Sequence, residues 1–195
     1  MRSLPFPAVA LIAATLTACA ARPTEVTTTW RDPVTTPIQF RRVMAIFVGG
    51  DSAMRRKVEN RLARNVPNTV ASYTVVPDAE LTDTVSVRSR IAEGGYDGVV
   101  VLRLTSVGMR TAGETVPTVG DPAETLAQYL RRSPRSALAS GQETVITMES
   151  RLYSVRDGKL IWAGTSDSFS PLSIGELVDQ VVDASIQELR DQRLL

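Results

Sequence analysis

The sequence predicts a single α/β domain on a mixed sheet, in the order β-α-β-α-β-(long loop)-β-β-α. Three observations carry that prediction. VMAIFV (43–48) and GVVVLRL (98–104) are short unbroken apolar runs, the pattern of strands covered on both faces. Helical stripes stand between them, so the first strands are joined by crossovers and should lie parallel. Farther on, two strand-like runs flank Asp157-Gly158, the pair that tight antiparallel hairpins prefer.

Each element has its own justification. After VMAIFV, Gly49-Gly50 makes a turn and Asp51 or Ser52 caps a helix. Met54, Val58, Leu62 and Val66 then fall four apart on one stripe, and Pro67 ends the helix. VASYTVV (70–76) is the expected second strand. Asp83 caps a helix running to Glu93, with Val87 and Ile91 inward and Gly94-Gly95 as the stop. GVVVLRL follows as the central strand, and Arg103 inside it needs an internal ion pair, because an unpaired buried charge is very costly.

Residues 107–141 collect Gly, Pro, Ser and Thr and read as a long loop. A connection of that length is functional or disordered more often than not. Within it, 123–132 can form a short helix with Leu126, Tyr129 and Leu130 on one side. In ETVITMESRLYSV, Ile146, Met148 and Leu152 point one way and Glu149, Arg151 and Tyr153 the other. LIWAG is the returning strand. Ser173 and Glu176 form a capping box for a last helix whose Leu177, Val178, Val181, Val182, Ile186 and Leu189 make a broad apolar face.

Composition excludes several functions. The 195 residues are 43% hydrophobic and 22% charged, ordinary for a globular domain, and net charge is +1, which gives no general pull toward nucleic acid. There is no histidine, so the commonest general base and metal ligand is missing. With one cysteine there is no internal disulfide, CxxC pair or thiolate zinc cluster. GxSxG, SxxK and metal-spaced Asp clusters are also absent, so no catalytic residue, metal ligand or cofactor is assigned and a non-enzymatic protein is expected. GGDSAMRRK after the first strand lacks the P-loop lysine and serine; a tight βα turn is the simpler reading. Arg55, Arg56, Lys57, Arg61 and Arg64 make the first helix basic, while Glu176, Asp179, Asp183 and Glu188 make the last one acidic. The two can attract each other or an anionic partner.

The N-terminus reads as an export signal, residues 1–18: Arg2, then an apolar stretch from Leu4 to Leu16 ending in small residues. That stretch is shorter than the roughly 20 residues a membrane-spanning helix needs. Leu16-Thr17-Ala18-Cys19 resembles the lipobox of bacterial lipoproteins. The resemblance implies that Cys19 becomes the mature N-terminus, its thiol carrying diacylglycerol and its amino group a fatty acid such as palmitate. Ala20 follows instead of the Asp that retains enterobacterial lipoproteins at the inner membrane, which implies the outer membrane, facing the periplasm. Residues 19–41, Thr- and Pro-rich, are expected to be the lipidated N-terminus and a tether of up to about 70 Å, with Trp30 docking on the domain of residues 42–195.

Trp30-Arg31-Asp32-Pro33, Phe40 with VMAIFV, GYDGVVVLRL and RLYSVRDGKLIWAGTS resemble an uncharacterised proteobacterial envelope lipoprotein family with the same Trp-x-Asp-Pro tether and Asp-Gly-Lys-Leu hairpin. Its motifs are structural. By element order alone the domain is also similar to small α/β domains of envelope lipoproteins that activate peptidoglycan synthases or assemble secretion pores. The function expected is binding of an envelope protein or cell-wall component by a membrane-anchored domain. The candidate contacts are Leu126, Tyr129, Leu130, Arg131 and Arg132 in the long loop, then Arg55 and Arg56. The alternatives are a small-anion site at the strand C-termini, near Gly49–Asp51 and Thr105–Gly108, and passive spacing.

Overall fold

A computed structural model describes residues 24–33, 39–110, 123–131, 143–169 and 173–194. Among these, β1 (Glu25–Arg31), β2 (Val43–Val48), β3 (Thr69–Ala71), β4 (Gly98–Arg110), β5 (Glu143–Ser154) and β6 (Lys159–Phe169) form one sheet in the order β1-β6-β5-β4-β2-β3. β2 is parallel to both β3 and β4, while β5, β6 and β1 each run antiparallel to the strand before them in space. The helices are α1 (Ser52–Asn65), α2 (Thr84–Glu93), α3 (Leu126–Arg131) and α4 (Ile174–Asp191). The fold class is the α/β class with a mixed sheet that the sequence predicts.

The connection β2-α1-β3 steps outward and β3-α2-β4 steps back across β2. With one crossover hand, that reversal sends α1 and α2 to opposite faces. α4 lies beside α1, and α3 beside α2. Alternation along the strands then builds two cores. Val43, Ala45, Phe47, Val100, Leu102, Met148, Leu152 and Trp162 meet Val58 and Leu62 of α1 and the apolar stripe of α4. Met44, Ile46, Val99, Val101 and Tyr153 meet Val87 and Ile91 of α2 and Tyr129 and Leu130 of α3.

The segment expected to be a tether is in part a strand. Glu25–Arg31 pairs along β6, with a register shift between Thr28 and Trp30. Its threonines and Val26 are β-branched, which suits a pleated edge, and as a half-buried edge strand it needs no continuous apolar run. Val26 packs on the α1/α4 core, and Trp30 docks on the other, as expected of it. The Trp162 indole donates to Thr28 Oγ1 at 3.0 Å, and Thr28 Oγ1 donates to Glu188 of α4. Residues 25–31 therefore belong to the sheet and cannot form part of the expected 70 Å tether.

The second strand is also shorter than 70–76. After Ala71 the chain turns into a 3-10 turn at Ser72–Thr74, because Glu59 of α1 captures it. Tyr73 N–H donates to Glu59 Oε2 at 2.8 Å and Ser72 Oγ to Oε1 at 2.8 Å. β4, by contrast, runs six residues past the expected Leu104, paired with β5 as far as Arg110. α1, α2 and α4 begin at their expected caps: Asp51, Asp83 and Ser173 accept from Met54, Val85 and Glu176 N–H respectively.

Candidate interaction surface

α3 stands between two stretches of the long connection, and its hold on the sheet decides what that connection can present. Three β-strand residues, Arg103, Glu149 and Arg151, face it from the sheet. All are almost completely buried: Arg103 is 1% exposed, Glu149 2% and Arg151 0%. Arg103 and Glu149 sit directly opposite each other across β4 and β5. Arg151 bridges Glu149 through Nε at 2.7 Å and Glu124, just before α3, through Nη1 at 3.0 Å.

The Tyr129 ring takes both guanidiniums. Arg103 Cζ lies 4.4 Å and Arg151 Cζ 4.2 Å from its centroid, and Arg103 Nη2 also donates to the Tyr129 carbonyl oxygen. Buried cations over an aromatic face are worth about 2 kcal/mol or more each when desolvated. Burial pushes the Tyr129 hydroxyl well above the ordinary tyrosine value, Glu149 adding to it against the pull of Arg103 and Arg151. Burial likewise raises Tyr153 to about 12, against the same pull from Arg151. Burial works against the charge on Arg151, but Glu149 and Tyr153 outweigh it and hold the pKa above the usual arginine value. Both tyrosines therefore stay neutral and Arg151 charged over the physiological range, and the cluster clamps α3 without a proton to exchange.

This placement divides the expected contact residues. Tyr129 and Leu130 are core residues, 0% and 3% exposed, and are corrected from surface to anchor, because the ring turns inward onto the guanidiniums of Arg103 and Arg151. Leu126 is half-buried and Arg131 exposed, so they remain on the surface; Arg132 lies outside the described residues, as do Leu16, Thr17, Ala18 and Cys19.

Arg55 is corrected in the same way. It is 3% exposed and lies between α1 and the turn after β3, donating to Glu59 at 3.0 Å, Asp78 at 2.6 Å, Ser72 at 2.8 Å and the Val76 carbonyl at 3.0 Å. The connection from β3 to α2 crosses that end of α1, which the helix's own periodicity cannot reveal. The Ser52 hydroxyl and then Arg55 hold the Asp78 carboxyl below its usual range. Arg56 is exposed, 3.9 Å from Asp78 and over the Tyr73 ring. Arg61 reaches Asp183 in bidentate fashion at 2.8 and 3.0 Å, so part of the basic face of α1 is spent on the acidic face of α4.

At the strand C-termini, Gly49 has φ +108°, which favours glycine, and a Cβ there would stand 2.9 Å from Leu104 Cβ. Leu104 fills the turn and the Asp51 carboxylate occupies the mouth of α1, donated to by Met54 N–H at 2.8 Å. Thr105 donates to the Thr147 carbonyl across the strands. This is the tight βα turn of the simpler sequence reading, with a carboxylate where an anion would sit.

Sequence reasoning missed a cleft of about 270 Å³ between α2, α3 and the β5–β6 hairpin. Val87, Ile91, Leu126, Leu130 and Val155 give it an apolar floor, and Arg88 stands at its side. The one signal that could have found it is Val155, an apolar residue at a hairpin tip. Among the described residues, no helix is long and apolar enough to cross a membrane.

No protein-family pattern and no curated protein matches the sequence, so the lipoprotein resemblance stays with the motifs that carry it. Several solved structures align with the chain, and three illustrate the likeness. The PelC dodecamer from Paraburkholderia phytofirmans aligns over 83% of this chain and 94% of its own at 11% identity, TM-score 0.43. A point variant of the same dodecamer covers the same shares at 10% identity, TM-score 0.45. Lipoprotein GNA1162 from Neisseria meningitidis aligns over 77% of this chain and 98% of its own at 14% identity, TM-score 0.39. Likeness at this level says nothing of partner or reaction.

Proposed function

We propose that this chain is a lipid-anchored envelope lipoprotein whose α/β domain works by binding an envelope partner, not by catalysis. The carrying observation is Leu16-Thr17-Ala18-Cys19, the chain's only cysteine, at the end of a charged-then-apolar N-terminus. Several acyl methylenes, each worth roughly 0.8 kcal/mol when buried, would hold the domain at a membrane durably. The side chains support binding over chemistry in a specific way. The buried charges of Arg55, Glu59, Glu149 and Arg151 are engaged with one another and with backbone, and the cleft beside α3 is floored by apolar groups. The surface offered to a partner is the outer side of α3, with Leu126 and Arg131, and secondarily Arg56 on α1.

Two measurements test this. Cys19→Ser is expected to abolish fatty-acid labelling and release the protein from membranes; a variant still labelled and retained sinks the anchored reading. In intact cells, photo-crosslinkers at Gln128 and Arg131 are expected to capture a discrete envelope protein or peptidoglycan fragment that Arg131→Glu weakens. Capture of nothing beyond what a probe at Arg156 captures would remove α3 as the contact.

A further inference from the structure

The anchor and the sheet together fix which end of the domain faces the membrane, an inference that rests on the lipid-anchored reading. β1 enters the sheet at Glu25, level with Asp167 of β6 and, through it, with Thr147 of β5. From that level β5 extends four residues one way, back to Glu143, and β6 extends eight residues the other way, back to Lys159. At about 3.3 Å per residue these are reaches of roughly 13 Å and 27 Å. Cys19 and Glu25 are six Cα–Cα steps apart, and even fully extended these span no more than about 20–22 Å.

The comparison of lengths decides the orientation. A membrane plane beyond the 155–158 turn would lie farther from Glu25 than the leash can reach. A membrane on the other side is within reach, and β1 already points its N-terminus that way. We propose that the domain stands with the C-terminal ends of β2 and β4 and the N-termini of α1 and α4 toward the bilayer that carries Cys19. The hairpin turn at 155–158 and the C-termini of α1, α2 and α4 then point away. Arg110 and Glu143 are paired at the bilayer end, so the chain leaves β4 and re-enters β5 beside the lipid surface. The cleft between α2, α3 and the hairpin reaches Ser154, Val155 and Gly158, so part of its wall lies on the half remote from the bilayer. A partner seated there is therefore soluble or wall-bound, not lipid-embedded.

The test uses the full lipidated chain. Acylation consumes the thiol of Cys19, so an introduced cysteine is the sole free one. Fluorophores are placed at Val107→Cys, which is 48% exposed near the Glu25 level, and at Arg156→Cys in the far turn. The protein is reconstituted in phosphatidylethanolamine–phosphatidylglycerol vesicles holding a headgroup-attached nitroxide quencher. The expected result is several-fold stronger quenching at position 107 than at 156. Equal or reversed quenching in protein that floats with the vesicles overturns the orientation and leaves the anchor standing. Protein that does not float overturns the anchored reading itself. Matching unfolding midpoints for the two labelled variants show that both report on the native domain.

Discussion

Both faces of the sheet are covered by helices, but they are held by different physics. On one, α1 and α4 meet Val100, Leu102, Met148, Leu152 and Trp162 through apolar surface, with neutral hydroxyls such as the Ser150–Ser185 pair, 3.0 Å apart, set among it. On the other, apolar residues line the half under α2, but α3 is held over Arg103, Glu149 and Arg151. The difference follows helix size. α4 has 18 residues and a wide stripe, enough for apolar burial to dock it; α3 has six and buries Tyr129 and Leu130. A single turn and a half cannot form alone, because helix nucleation is unfavourable. Ion pairs and cation–π contacts from the sheet supply direction as well as energy, placing one tyrosine in one pose.

The sharpest way to break the contrast is Glu149→Leu. It leaves the buried Arg151 with Glu124 as its remaining carboxylate and removes the negative charge opposite the buried Arg103, and a loss of about 3–5 kcal/mol in urea unfolding is expected. If the loss is below about 1 kcal/mol, the charge layer is hydrated and the contrast between the faces falls. Leu152→Ala, one strand position past Arg151 and pointing to the opposite core, tests the apolar side. It should cost about 2–5 kcal/mol by cavity formation while leaving amide exchange in α3 unchanged relative to the global rate. Tyr129→Leu keeps the apolar bulk and removes the ring under both guanidiniums. About 1–3 kcal/mol should be lost, with selectively faster exchange over residues 126–131.

Asp97 lies between the faces, at the far end of the sheet, and serves as a control. It accepts from Arg41 and Arg42 N–H at 2.9 and 2.8 Å. Burial raises its pKa, but those backbone donors and the Arg41 side chain outweigh burial and hold it below the usual value. Its contribution is therefore present above the unfolded carboxyl pKa, near 4, and is lost as pH falls through the lower folded value. Asp97→Asn should cost about 1–2 kcal/mol at neutral pH and flatten the acid limb of stability against pH. An acid limb unchanged in the variant would assign it to other carboxylates. Smallest of all, Arg61→Ala removes an exposed bridge to Asp183 and should cost no more than about 1 kcal/mol, diminishing further in 1 M salt.

Much of the architecture could be read from local pattern. VMAIFV and the apolar run of GVVVLRL are strands because their aliphatic side chains have both faces to bury. The stripe of Met54, Val58 and Leu62 lies on α1 as its spacing requires, with Val66 as the helix's C-cap, and the caps at Asp51, Asp83 and Ser173 start their helices. The alternation in β5 sorted Met148 and Leu152 from Glu149 and Arg151 correctly, and the internal setting of Arg103 followed from its apolar neighbours. The failures share a feature: each concerns a polar residue whose partner is distant in sequence. Thr28 joins a strand because Trp162 and Glu188, 134 and 160 residues away, take up its hydroxyl. Arg55 and Tyr129 turn inward to meet Asp78 and to meet Arg103 and Arg151.

By itself, then, the sequence determined the layers, the crossovers and the hairpin, because hydrophobic period and capping act over one or two turns of chain. Tertiary structure alone decided that residues 25–31 join the sheet as an edge strand, that α3 is an anchored element and that a cleft lies beside it. Charge pairing and edge-strand docking act across space, and no local pattern records which distant groups will meet.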